Sequence, residues 1–107
     1  MRKFIWLSFD LSLNGDYERL FRWLDERSAK ECGDGLACFY FDFRTENEKE
    51  ELTSSMKSNI EIKEGKDRLY AVWERTDGRT RGSFLVGARK RAPWEGAFGR
   101  FSDNLDG

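Results

Sequence analysis

Whether Gly33-Asp34-Gly35 is a tight turn or the middle of a longer loop decides what this chain can fold into. Asp-Gly between two extended segments is a strong hairpin signal, because glycine reaches positive φ without a Cβ clash. As a hairpin, the turn pairs Ala29–Cys32 with Leu36–Phe43. The chain then runs β-α-β-β-α-β with one strand added at the end. That is an α+β fold, a ferredoxin-like βαββαβ sandwich with an added C-terminal strand. As a loop, the same residues leave a single strand, and the order becomes β-α-β-α-β-β with a partly parallel sheet. The hairpin is the preferred reading. With a two-residue loop, it sets Cys32 opposite Ala37 and predicts no cross-strand disulfide with Cys38.

The other elements follow from local patterning. In residues 3–11, Ile5, Leu7, Phe9 and Leu11 share one face, and Phe4, Trp6, Ser8 and Asp10 share the other. Both faces begin apolar, as in a central strand. Residues 16–28 are predicted to be helical, with Tyr17, Leu20, Phe21 and Leu24 as an apolar stripe and Glu18 four residues before Arg22. Residues 45–58 read as a weaker helix, with Thr45 and Glu48 in capping-box spacing and only Leu52, Met56 and Ile60 to bury. Residues 67–75 form the next strand, Thr76-Asp77-Gly78-Arg79 a second hairpin turn, and residues 80–87 a final strand weakened by Gly82 and Gly87. Residues 1–87 are therefore read as one domain. Residues 88–107 are a tail that packs on the sheet or on a partner.

Aromatic residues make up 15% of the chain and charged residues 36%, so a thin core built on large rings sits inside a charged shell. Residues 1–74 carry 12 Lys/Arg against 16 Asp/Glu, and residues 75–107 carry 7 against 4, so positive charge gathers at the C-terminal end. No stretch has signal-peptide character, none approaches the ~20 apolar residues of a membrane span, and two cysteines make no disulfide framework. The expectation is a cytoplasmic protein with no membrane partner.

The chain contains no histidine, which removes the usual base of nucleophilic triads and the His-containing zinc sites. It also lacks a glycine-rich phosphate loop. Asp10 ends the first strand just before a turn, and Asp42 ends the aromatic strand in a similar way. A carboxylate so placed can hold Mg²⁺ or simply cap a loop. Phe9-Asp10 after an apolar strand, followed by a turn and an amphipathic helix, resembles the opening of the small ferredoxin-like CRISPR-associated integration subunits and the related antitoxin endoribonucleases. The resemblance covers roughly residues 3–75. It implies a dimer, Asp10 as a metal-binding and catalytic aspartate, and residues 80–87 as an added strand at the dimer contact. The chain departs from the pattern in lacking a basic set just after Asp10.

Arg75, Arg79, Arg81, Arg89, Lys90, Arg91 and Arg100 are interleaved with Phe84, Trp94, Phe98 and Phe101. Cations with stacking rings suit single-stranded nucleic acid; the alternative is a tail whose rings patch the open sheet face. Pro93-Trp94-Glu95-Gly96 is read as a turn that docks the indole. The leading expectation is a non-catalytic binding or assembly module, a homodimer needing no cofactor. A second is a nucleic-acid binder using Arg89, Lys90, Arg91 and Trp94. A third is an Mg²⁺-dependent nuclease using Asp10, with Asp42 as a further metal ligand.

Overall fold

The computed structural model describes residues 1–96. Seven elements follow in order: β1 (Arg2–Asp10), α1 (Tyr17–Glu26), β2 (Lys30–Gly33), β3 (Leu36–Asp42), α2 (Glu48–Asn59), β4 (Arg68–Glu74) and β5 (Thr80–Val86). The strands form one sheet in the order β2-β3-β1-β4-β5, with every neighbouring pair antiparallel. The fold is α+β. The partly parallel alternative is corrected: Asp34 and Gly35 turn the chain straight back on itself, and two residues cannot carry a crossover. Gly35 has φ of 68°, and its carbonyl accepts from the Phe9 N–H at 2.8 Å. A β-carbon there would stand 2.8 Å from the Phe9 carbonyl oxygen, so the turn can lie against β1 only because position 35 is glycine.

The hairpin register differs from the simple two-residue count. Lys30 faces Cys38, Glu31 faces Ala37, and a bulge follows before Gly33 meets Leu36. Cys32 is therefore the extra residue of the bulge and does not oppose Ala37. Both cysteines are free.

Both helices cover the same sheet face. Ile5 and Leu7 of β1, Phe39 and Phe41 of β3, and Leu69, Ala71 and Trp73 of β4 meet Leu20, Trp23 and Leu24 of α1 and Leu52 and Met56 of α2 in one core. Each large side chain fully buried here is worth roughly 1.5–3 kcal/mol. Trp23 stands edge-on to Phe39 at 5.2 Å, and its indole N–H donates to Ser55 Oγ at 3.2 Å, joining the two helices. The expected α1 stripe is corrected at one position: Trp23 is buried, while Phe21 is half exposed beside Phe9 and Tyr17. Asp16 caps α1 by accepting from the Arg19 N–H, and Glu18 pairs with Arg22 at 3.2 Å as the spacing predicts.

The capping box expected at α2 does not form. Glu51 takes that place, accepting from the backbone N–H groups of Arg44 and Thr45 and from the Thr45 hydroxyl. Glu48 turns inward instead and meets the Lys3 ammonium at 2.6 Å, both side chains being largely buried. Burial alone would raise the Glu48 carboxyl; Lys3 outweighs it and holds the pKa below the usual carboxylate range. No helix among the described residues is long and apolar enough to cross a membrane.

Candidate functional site

With both helices on one side, the other sheet face carries no helix among the described residues. Strand alternation and register place Phe4, Trp6, Ser8 and Asp10 of β1, Cys38 and Tyr40 of β3, Tyr70 and Val72 of β4, and Gly82 and Phe84 of β5 on it. The rings fall into two clusters at opposite corners.

The first cluster is Phe4, Trp6 and Tyr40. Phe4 packs edge-on to Trp6 at 4.8 Å and to Tyr40 at 5.0 Å, and the Arg2 guanidinium lies over the Tyr40 ring at 4.0 Å. Trp6 is nevertheless 41% exposed and Tyr40 52%. β2 pairs only as far as the Lys30–Cys38 position, so among the described residues no strand lies beyond residues 39–42 of β3 on the outer side. An open trough of about 920 Å³ runs along that edge past Asp42 and Arg44.

The second cluster forms where β4 and β5 meet the segment after β5. Tyr70 and Phe84 pack edge-on at 4.8 Å. The chain then turns back: the Glu95 N–H donates to the Ala92 carbonyl at 3.0 Å, and Arg91 Nη2 donates to the Glu95 carbonyl at 3.2 Å. A cleft of about 610 Å³ opens between this turn and the sheet. Trp94 lines it but stays 68% exposed, so the predicted turn is present without docking its indole. The other candidate binding residues, Arg89, Lys90 and Arg91, line the same cleft. Phe98, Arg100 and Phe101 lie outside the described residues.

Asp10 also borders this cleft, directly across the ladder from Arg68, whose Nη2 donates to Asp10 Oδ2 at 3.0 Å. Asp42 lies opposite Arg2, at the other end of β1. Eight residues of strand separate the two positions by roughly 26 Å, so the two aspartates cannot share an ion. Among the described residues no group of three His, Cys, Asp or Glu side chains comes together to hold a metal. The Asp10 carboxylate is engaged by the Arg68 guanidinium.

The two thiols share an environment. Cys38 is buried, and its pKa is pushed up to about 11, chiefly by burial and then by the Cys32 thiol next to it. Such a thiol is inert at neutral pH.

Two members of the second cluster escape a residue-by-residue reading: Arg68 and Tyr70. Each sits in an ordinary strand. The signal that could have found them is the same-face relation to Ser8 and Asp10, which needs the β1–β4–β5 register. No family model matches this chain, and no curated protein or solved structure does.

Proposed function

We propose that this protein is a non-catalytic assembly and binding module, a ferredoxin-like βαββαβ domain with an added C-terminal strand, and that it works as a homodimer through the corner of the open sheet face around Trp6 and Tyr40. The observation that carries this is the exposure of those two rings on a face that no helix among the described residues covers. A ring exposed in a contiguous aromatic cluster loses hydration cost when a partner covers it.

The rim favours a second copy of the same chain. Arg2 and Lys30 border the cluster together with Asp42. A two-fold contact sets one patch against itself, so it needs both signs of charge, and a single-sign rim would repel. The unpaired outer side of β3 lies beside the same rings and offers backbone groups to a neighbouring chain. The absence of histidine and the pairing of Asp10 with Arg68 support a module without chemistry of its own.

Sedimentation equilibrium of wild type and of the Trp6→Ser/Tyr40→Ser variant tests this. Wild type is expected to dimerise reversibly. The double variant is expected to be monomeric with little change in unfolding midpoint, because exposed side chains contribute little to the folded monomer. A wild-type protein that stays monomeric at its solubility limit sinks the assembly reading. A double variant that fails to fold shows that the rings serve the fold and not a partner.

A further inference from the structure

The cleft at the opposite corner has a different character, and it stands independently of the assembly surface. Among the described residues its rim carries Arg68, Arg89, Lys90 and Arg91 against Asp10 and Glu95. Arg68 already neutralises Asp10 at 3.0 Å. The whole chain has a net charge of −1, so this positive region is local and not a consequence of overall charge. Such a rim repels its own copy and attracts a polyanion.

The rings decide which polyanion. Tyr70 and Phe84 form the floor, half-buried and packed edge-on at 4.8 Å, and Trp94 stands exposed on the facing wall. Gly82 contributes by omission: a β-carbon there would lie 2.0 Å from the Tyr70 hydroxyl oxygen, so the bare backbone of β5 is what lets the Tyr70 ring spread across the floor. Aromatic faces stack on bases that are not already stacked within a duplex, and cations beside them take the phosphates. We infer that this cleft is a binding site for single-stranded nucleic acid, with Trp94 and Tyr70 as base-stacking residues and Arg89 and Lys90 as phosphate contacts.

The test uses the full chain, fluorescence anisotropy, and labelled single-stranded DNA and RNA of mixed sequence beside duplexes of equal length. Single strands are expected to bind more tightly than duplexes, with affinity falling as salt rises. The DNA and RNA arms show whether the 2′-hydroxyl matters. Each phosphate contact on a single strand contributes about 0.7 to the slope of log affinity against log salt. Arg89→Ser/Lys90→Ser should therefore flatten the slope by about 1.4. Trp94→Ala should weaken binding about tenfold or more, the loss of one stacked base, and leave the slope unchanged. Both changes lie on exposed residues outside the core. Absence of binding at low salt, a preference for duplex, or affinity untouched by both variants overturns the inference. So does a Trp94→Ala variant that alters the oligomeric state and not oligonucleotide binding, because the cleft would then belong to the assembly surface.

Discussion

The Tyr70 ring lies across Gly82 on the neighbouring strand: a β-carbon at position 82 would come within 2.5 Å of Tyr70 Cζ as well as 2.0 Å of its oxygen. Gly82 faces Val72 in the ladder and Tyr70 faces Phe84, so the ring leans diagonally over the one position in β5 that leaves it room. A glycine that weakens β5 as a strand thus shapes the floor of the cleft. Gly82→Ala is expected to push the ring aside and to destabilise the protein by about 1–3 kcal/mol, the range for overpacking. In a Tyr70→Ala background the same change should cost far less. A double-mutant cycle in urea checks this; equal penalties in the two backgrounds would show that the ring is not what fills the space.

Lys3 and Glu48 make a largely buried ion pair at 2.6 Å, and the Thr76 hydroxyl lies 3.3 Å from the same carboxylate. Lys3→Met leaves Glu48 buried without its cation and is expected to cost about 3–5 kcal/mol. Lys3→Met/Glu48→Met removes both charges and should recover most of that loss. Denaturant midpoints of the two variants decide it, and a double variant no more stable than the single one would contradict the pairing.

Asp67 is nearly fully buried and accepts the Ser12 N–H at 2.7 Å and the Lys63 N–H at 2.8 Å, tying the loop after β1 to the segment before β4. Burial alone would raise its carboxyl, but the two backbone donors outweigh it and hold the pKa below the ordinary 3.8. The folded pKa is lower than the unfolded one. The stabilisation is therefore complete above the unfolded value and is lost as pH falls through the lowered folded value. Asp67→Asn gives up one acceptor and is expected to cost about 1–3 kcal/mol at neutral pH. The gap to wild type should narrow as pH drops below 3.8. Urea unfolding across that range measures it, and a gap that stays constant would mean Asp67 does not titrate with folding.

Cys32 is exposed, while Cys38 is buried with its pKa raised to about 11. Brief alkylation of the native protein near neutral pH should label Cys32 alone, and alkylation after unfolding should label both. Mass spectrometry of the intact chain reads the count. Two rapid native labels would show that Trp6, Cys38 and their neighbours open far more readily than the packing implies.

Much of the fold was legible residue by residue. Alternation marks β1 and β4, Asp34-Gly35 and Asp77-Gly78 mark the turns, and Asp16 marks the start of α1. The misreadings have a common cause. Phe21 lies three residues before Leu24 and Trp23 three after Leu20, so both flank the Leu20–Leu24 stripe, and only the position of Phe39 and Phe41 decides that Trp23 goes inward. Glu48 has capping-box spacing from Thr45, yet Lys3 lies next to it across the core and draws it away from the helix end. Cys32 is displaced by a bulge, which depends on how β2 meets β3 and leaves no periodic trace. Of the candidate site, Trp94 and the cations at 89–91 were visible as composition, and Asp10 as a strand end. Its pairing with Arg68 was not.

The sequence by itself determined the two helices, the strands outside residues 29–35 and the absence of histidine chemistry, and it favoured the hairpin over the loop, because turn conformation, side-chain period and residue type are local properties. Only the tertiary structure decided that both helices cover one face, that Asp10 and Asp42 lie at opposite ends of β1, and that Tyr70 and Phe84 meet Trp94 across a cleft. Those outcomes depend on strand order and register. Register brings residues far apart in the chain to one face, and a shift of a single residue would turn each ring to the other side of the sheet.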